Sequence, residues 1–310
     1  MSATTSIEWT DKTWNPTTGC DQISPGCAHC YAKTIAERLW ASQYPEEVIF
    51  DEHRQYAGQR PRVFTDVRTH EDRLLEPLSW RKPARVFVNS MSDLFHEDVP
   101  DAFIDRVFAV MARCAMPYRD GHTFQVLTKR PERMRAYMAE GRAAHVAIHA
   151  PLMRTWPLPN VWLGVSVENQ HFADERIPLL LQPPAAVHFI SAEPLLGKVE
   201  LFQFLPGGAW LHSPREMHSP LSWVIVGGES GPQSRPFDLA WARAIVAQCK
   251  AASVPVFVKQ LGAHAFEGEP ENDGHGPQYF TKNRKGGDMA EWPDDLRVRE
   301  FPRACQAAVQ

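Results

Sequence analysis

No apolar run in the 310-residue chain reaches the 18 or so residues that a membrane helix needs. The opening stretch, Met1 to Trp9, has neither a basic segment nor an apolar core. No secretory leader is therefore expected, and the cytosol is the expected compartment. A charge excess is missing too. Lys and Arg total 33 against 37 Asp and Glu, a formal net charge of -4. That excludes the uniformly basic field of a non-specific nucleic-acid coat protein but allows a local basic groove. No fixed-length repeat, low-complexity tract or linker divides the chain. With 44% hydrophobic and 23% charged residues, a disordered chain, a collagen and a coiled-coil rod are excluded. Proline is in surplus, with 26 residues, and many of these open loops, which predicts long, structured connections.

From about residue 84 short apolar runs alternate with segments of helical period. The runs Arg85–Ser90, Thr123–Thr128, Val161–Val167, Val187–Ser191, Trp223–Gly227 and Val256–Lys259 read as strands. Asp101–Arg113, Arg130–Ala139, His171–Leu181 and Ala240–Ala251 read as helices, the last with Asp238 as its cap. Repeated strand–helix–strand order implies a parallel sheet with right-handed crossovers. The fold class expected is α/β, a partial (β/α)6-type barrel of mostly parallel strands. Loop insertions are expected at about 40–83, 141–157, 203–221 and 264–300. The barrel should span 1–262, with a C-terminal extension, 263–310, packed on or beside it.

The strand ends are polar. Asn89-Ser-Met-Ser-Asp93 follows the first run, Thr128-Lys129 the second, Ser166-Val-Glu168 the third and Ser191-Ala-Glu193 the fourth. Gly227-Gly-Glu229 closes the fifth, and Lys259 the sixth. In parallel α/β barrels active sites are built on this rim. Six such ends point to one large polar site. Each also has a plainer reading: Ser90 and Asp93 as turn or helix caps, Glu168 and Glu193 as solvated carboxylates, Gly227-Gly228-Glu229 as a turn, and Lys259 as a snorkelling lysine.

Six cysteines are present, and three are clustered as Cys20-x6-Cys27-x2-Cys30. In a reducing cytosol such a group holds metal or does chemistry rather than forming disulfides. Cys114 and Cys249 fall inside apolar helical patterns and read as small core hydrophobes, while Cys305 lies in the C-terminal tail. Three thiolates need a fourth ligand to close a structural zinc site, and His29 adjoins Cys30 too closely to serve. They suit a catalytic metal with one open position, or a [4Fe–4S] cluster with one iron left free. Gly19 and Gly26 permit tight backbone geometry beside two of the cysteines.

The stretch Asn15-Pro16, Gly19-Cys20 and Cys27-x-x-Cys30-Tyr31-Ala32, within a loop at 14–32 and followed by helical Lys33–Leu39, resembles the cluster loop of radical SAM enzymes. It is closest in kind to their spore photoproduct lyase-like branch. The wider first gap is similar to that of the phage and bacterial three-Cys-motif proteins. Val88–Asp93, Gln125–Lys129, Leu163–Ser166, Ser191–Pro194 and Val226–Glu229 extend the resemblance over roughly 5–262. The gap of six and His29, in place of an aromatic residue, depart from the branch pattern.

The resemblance implies that Cys20, Cys27 and Cys30 bind three irons, and that S-adenosylmethionine sits on the fourth. Reductive cleavage would then yield methionine and a 5′-deoxyadenosyl radical that takes hydrogen from a substrate. It further implies that Ser90 and Asp93 face the methionine amino group and that Ser166 and Glu168 reach the ribose. Thr128, Lys129, Glu193, Gly227, Gly228, Glu229 and Arg235 would complete the cofactor site. Glu229 and Lys259 are the candidates for chemistry on the substrate. A nucleic-acid substrate, a base in DNA repair or modification, follows from the branch, as does a reductant such as flavodoxin or ferredoxin. No membrane partner is expected. Arg54–Arg85, with eight basic residues against four acids, offers phosphate contacts or else a solvated insertion. A separate reading is a zinc-binding nucleic-acid or protein interaction module in which the cysteine loop is structural.

Overall fold

The computed structural model describes residues 5–43, 47–50, 55–115, 121–139, 141–208, 220–231, 233–268 and 277–302. Its frame is a seven-stranded, all-parallel sheet, curled into a half-barrel and flanked by helices. The strands are β1 (Lys12–Trp14), β2 (Arg85–Val88), β3 (Thr123–Thr128), β4 (Val161–Ser166), β5 (Val187–Ala192), β6 (Trp223–Gly227) and β7 (Val256–Gln260). Each lies beside its predecessor, so the spatial order is the chain order. Six were expected. The seventh, β1, is only Lys-Thr-Trp, too short for an apolar run to announce it.

Alternate residues of each strand enter different cores, as the two-residue period requires. Val86, Val88, Val126, Leu163, Val165, Ile190, Val224 and Val256 pack outward into the large core. There they meet α2 (Asp101–Cys114), α5 (Gln170–Leu180) and α6 (Leu239–Ala251). Phe87, Trp162, Phe189, Trp223, Ile225 and Phe257 point inward and form, with Trp9, a compact aromatic floor. The Trp9 ring spans this concavity, 4.7 Å from Phe87 and 6.3 Å from Trp223 between ring centres. Each large ring removed from water contributes on the order of 4–6 kcal/mol before entropy is counted.

Caps set the helix starts. Asn169 accepts from the Phe172 N–H at α5, and Asp238 from the Ala240 N–H at α6. The expected third helix starts one residue later, as α3 (Pro131–Tyr137), because Pro131 suits the first helical turn. The insertion at 141–157 holds a further helix, α4 (Arg142–His149). In the insertion at 40–83, Glu47–Phe50 pairs antiparallel with Tyr56–Arg60.

Past residue 262 the chain stays tied to the barrel. Ala265–Phe266 pairs with Phe237–Asp238, and Trp292 and Leu296 join the large core. The open edge of β7 is covered by residues 298–300: the Val258 N–H donates to the Val298 carbonyl, and the Glu300 N–H to the Val256 carbonyl. An edge so paired offers no template to another chain. Cys305 and Arg54 lie outside the described residues.

Candidate active site on the strand-end rim

The cysteine loop leaves the C-terminal end of β1 and lies over the rim, as Gly19 N–H donates to the Met91 carbonyl and Asn89 N–H to the Trp14 carbonyl. It runs into α1 (Tyr31–Gln43), whose Ala32, Ala36 and Trp40 pack with Phe64 and, at their margin, with Cys20, Cys30 and Met91. The three loop thiols are half-buried and form no disulfide. Cys114 and Cys249 are buried, as expected of core residues.

Every strand end named from the sequence lies on this rim, and four of them contact the loop. On β2 and β3, the Asp93 carboxylate accepts from Thr128 Oγ1 (2.7 Å), the Phe95 and Lys129 N–H groups (3.0 Å each) and Arg130 Nη1 (3.3 Å). Arg130 Nη1 in turn stands 3.5 Å from Cys20 Sγ. Asp93 is therefore an organiser of its neighbours and not an open acceptor. Burial, and then the Asp93 charge, push the Cys20 thiol up to about 11 against the pull of Arg130. A metal taken by this thiol would have to displace that proton.

Ser90 donates to Asn15 Oδ1 (3.2 Å), and its carbonyl accepts from the Tyr31 hydroxyl (2.6 Å). Asn89 is buried with a left-handed φ of 63°, and neither atom of its side-chain amide has a partner among the described residues.

On β4, Ser166 and Glu168 are buried. Glu168 accepts from Ser24 Oγ (2.7 Å) and Arg176 Nη1 (3.1 Å), with Lys129 Nζ 3.7 Å away. A Cβ on Gly26 would collide with that carboxylate. On β5 to β7, Ser191 Oγ donates to Glu193 (3.2 Å), which pairs with Lys259 Nζ at 3.2 Å. A Cβ on Gly227 would stand 2.6 Å from Glu193 Oε1. Glu193 thus passes directly over Gly227, crossing β6 to reach β7. Gly228 likewise packs on the Leu261 carbonyl.

Beyond β6, Glu229 accepts from Arg235 Nη2 (2.8 Å) and the Arg235 N–H (2.9 Å). His29 Nδ1 is 3.0 Å from Glu229 Oε2, so Nδ1 carries the proton. Arg235 Nη1 also reaches the Pro25 carbonyl of the loop (2.9 Å). Burial raises the Glu229 carboxyl, but the Arg235 and His29 bonds outweigh it and hold the group below its usual range.

Among the described residues no three His, Cys, Asp or Glu side chains are grouped to share one metal ion. The donor chemistry still fits an iron–sulfur cluster. Three unlinked thiols stand on one loop above a barrel rim, with an arginine beside one sulfur and a serine beside another.

Sequence reasoning missed Ser24, Arg130, Arg176 and Tyr31. Gly26 beside Cys27 was the one local signal for the first; Arg176 sits within an amphipathic helix and gave none. Trp14 and Trp223 are fully buried and serve packing. The basic segment is largely committed. Arg60 pairs with Asp66 and Arg85 with Asp11, while buried Arg62 lies 3.8 Å over the Trp40 ring. Arg68, Arg81 and Lys82 stay exposed.

Comparison with curated proteins and with solved structures gives no match. A family model matches residues 4–293, a span that holds the cysteine loop, all seven strands and every rim residue above, and the chain therefore belongs to the family described as a protein of unknown function, DUF5131.

Proposed function

We propose that the protein is a radical SAM enzyme in which Cys20, Cys27 and Cys30 hold a [4Fe–4S] cluster. The observation that supports this best is the place of the cysteine loop, on the C-terminal rim of a parallel half-barrel and bonded to groups from β3, β4 and β6. Cluster and S-adenosylmethionine would supply one-electron cleavage of the sulfonium C–S bond and hydrogen abstraction from a substrate.

The chain's own part is placement and exclusion of water. Asp93 fixes Arg130 beside Cys20, where the guanidinium offsets thiolate charge. Glu229 holds His29 and, through Arg235, the Pro25 carbonyl, closing the loop over β6. The aromatic floor seals the concavity from below. Lys259 and Glu193, partly open to solvent, are the groups placed to hold or exchange a proton with a substrate. A single zinc ion would draw all three thiolates onto one centre, whereas a cluster takes each on a different iron.

Anaerobic reconstitution tests the proposal. About four irons and four sulfides per chain, broad absorbance near 400 nm that bleaches with dithionite, and release of methionine and 5′-deoxyadenosine are expected. A colourless protein that retains zinc and leaves S-adenosylmethionine intact overturns it. Addition of single- and double-stranded DNA and RNA to the same assay tests the nucleic-acid substrate, with faster cofactor turnover as the expected result.

A further inference from the structure

Glu168 is the most enclosed charged group of the rim, and its partners lie in three separate parts of the chain. Its side chain is fully buried. One oxygen accepts the Ser24 hydroxyl at 2.7 Å; the other accepts Arg176 Nη1 at 3.1 Å. Arg176 is itself held, donating to the Ser166 carbonyl at 2.9 Å and stacking 4.1 Å over the Phe172 ring. Helix α5 thus aims the carboxylate, and the carboxylate aims the serine. A carboxylate can only accept, so the single Ser24 proton points at Glu168. The Ser24 lone pairs then face Cys27 Sγ, 3.7 Å away. The Cys27 N–H also closes onto the Ser24 carbonyl at 2.9 Å. Gly26 completes the fit, because a side chain there would strike Glu168.

We propose that Glu168 and Ser24 are positioning residues for Cys27, a relay from α5 through β4 that sets this thiol on the rim. This role is separate from the ribose contact that the resemblance implies for Glu168. It rests on the reading of Cys27 as a metal ligand for its purpose but not for its geometry, and the two can be tested apart.

Glu168→Ala would leave Arg176 buried without a counter-charge and is expected to unfold the chain. The informative variants are therefore at Ser24 and Gly26. In metal-free protein, iodoacetamide labelling followed by peptide mass spectrometry reads each cysteine separately, and buried Cys249 reports on folding. Ser24→Ala removes the acceptor of the Cys27 thiol proton and should raise the labelling rate of Cys27 about fivefold, the order expected for one neutral hydrogen bond, while Cys20 and Cys30 change less than twofold. Ser24→Thr, which keeps the hydroxyl, should restore the wild-type rate. Gly26→Ala, which displaces Glu168, should act like Ser24→Ala. Unchanged Cys27 labelling in Ser24→Ala, or a rise shared equally by all three cysteines, overturns the proposal.

In the reconstituted protein, Ser24→Ala should keep its iron while its electron paramagnetic resonance signal shifts. An unshifted signal at full iron content counts against the relay. Failure of the wild-type protein to take up iron defeats the proposed function instead, and leaves the labelling result to decide the relay.

Discussion

The concave face of the sheet has two levels that differ in kind. At the lower level, seven of the eight residues of the floor core belong to the strands themselves, and the eighth, Trp9, closes over them. At the upper level, two to six residues further along the same strands, the inward groups are Lys129, Ser166, Glu168, Ser191, Glu193 and Lys259. The floor gains from burial without directional demands. The upper level gains little in net stability from its ion pairs, since desolvation offsets much of their attraction. Its bonds fix directions instead. One surface thus keeps its stability in one layer and its directional polar bonds in the next, and substitutions should separate the two.

Trp223→Ala should break the floor. It removes a ring in contact with Trp9, Trp162, Phe189 and Phe257, at a cost of about 3–5 kcal/mol in urea unfolding. Cysteine labelling in the molecules still folded should match the wild type. Loop and core thiols should then divide. Cys249→Ala, a small deletion from the large core, should cost about 1–2 kcal/mol and leave iron content intact. Replacing Cys20, Cys27 and Cys30 together with Ala should change stability by less than about 1 kcal/mol and abolish absorbance near 400 nm. Cluster loss in Cys249→Ala without unfolding would contradict this division.

A more gradual effect belongs to pH. Burial lowers both His188 and His70, the latter to about 4 with help from Arg73 and Arg62. Both imidazoles stay neutral in the fold, while the unfolded chain takes up protons from about pH 6.5 downward. Stability should be full above pH 6.5 and should decline toward pH 4. A urea midpoint that stays flat from pH 7 to pH 4.5 would contradict the shifts. The smallest change in stability is expected from the upper level. Glu193→Gln with Lys259→Met should alter unfolding by less than about 1 kcal/mol, yet abolish substrate turnover. A loss of several kcal/mol would show that the rim also carries the frame.

The frame was legible because β2 to β7 are mostly apolar runs rich in Val, Ile, Phe and Trp, which leave few alternatives. Strand ends were right to within two residues. The rim was legible as a set of polar termini, since the strand period puts Ser166 and Glu168 on one face. What the sequence concealed was pairing. Nothing near Glu168 names Ser24, which lies 144 residues away, or tells that Glu193 crosses Gly227 to reach Lys259. Asp93 carried the same ambiguity: as cap and as ligand it looks alike, and only its three neighbours Thr128, Lys129 and Arg130 show that its oxygens are already engaged.

The bonds that seat the cysteine loop also set a timetable. Cys20, Cys27 and Cys30 leave the ribosome early, but His29 waits for Glu229 and Pro25 for Arg235, 200 and 210 residues later. At 5–20 residues per second that interval is roughly 10–40 s. Through it the nascent chain gains Arg130 and Glu168, but the contacts that close the loop over β6 have yet to be made. Metal delivered in that window would meet an unshaped peptide; metal delivered afterwards would meet a seated loop. Pulse labelling of stalled chains, released before and after residue 235, would show at which stage the thiols first become protected.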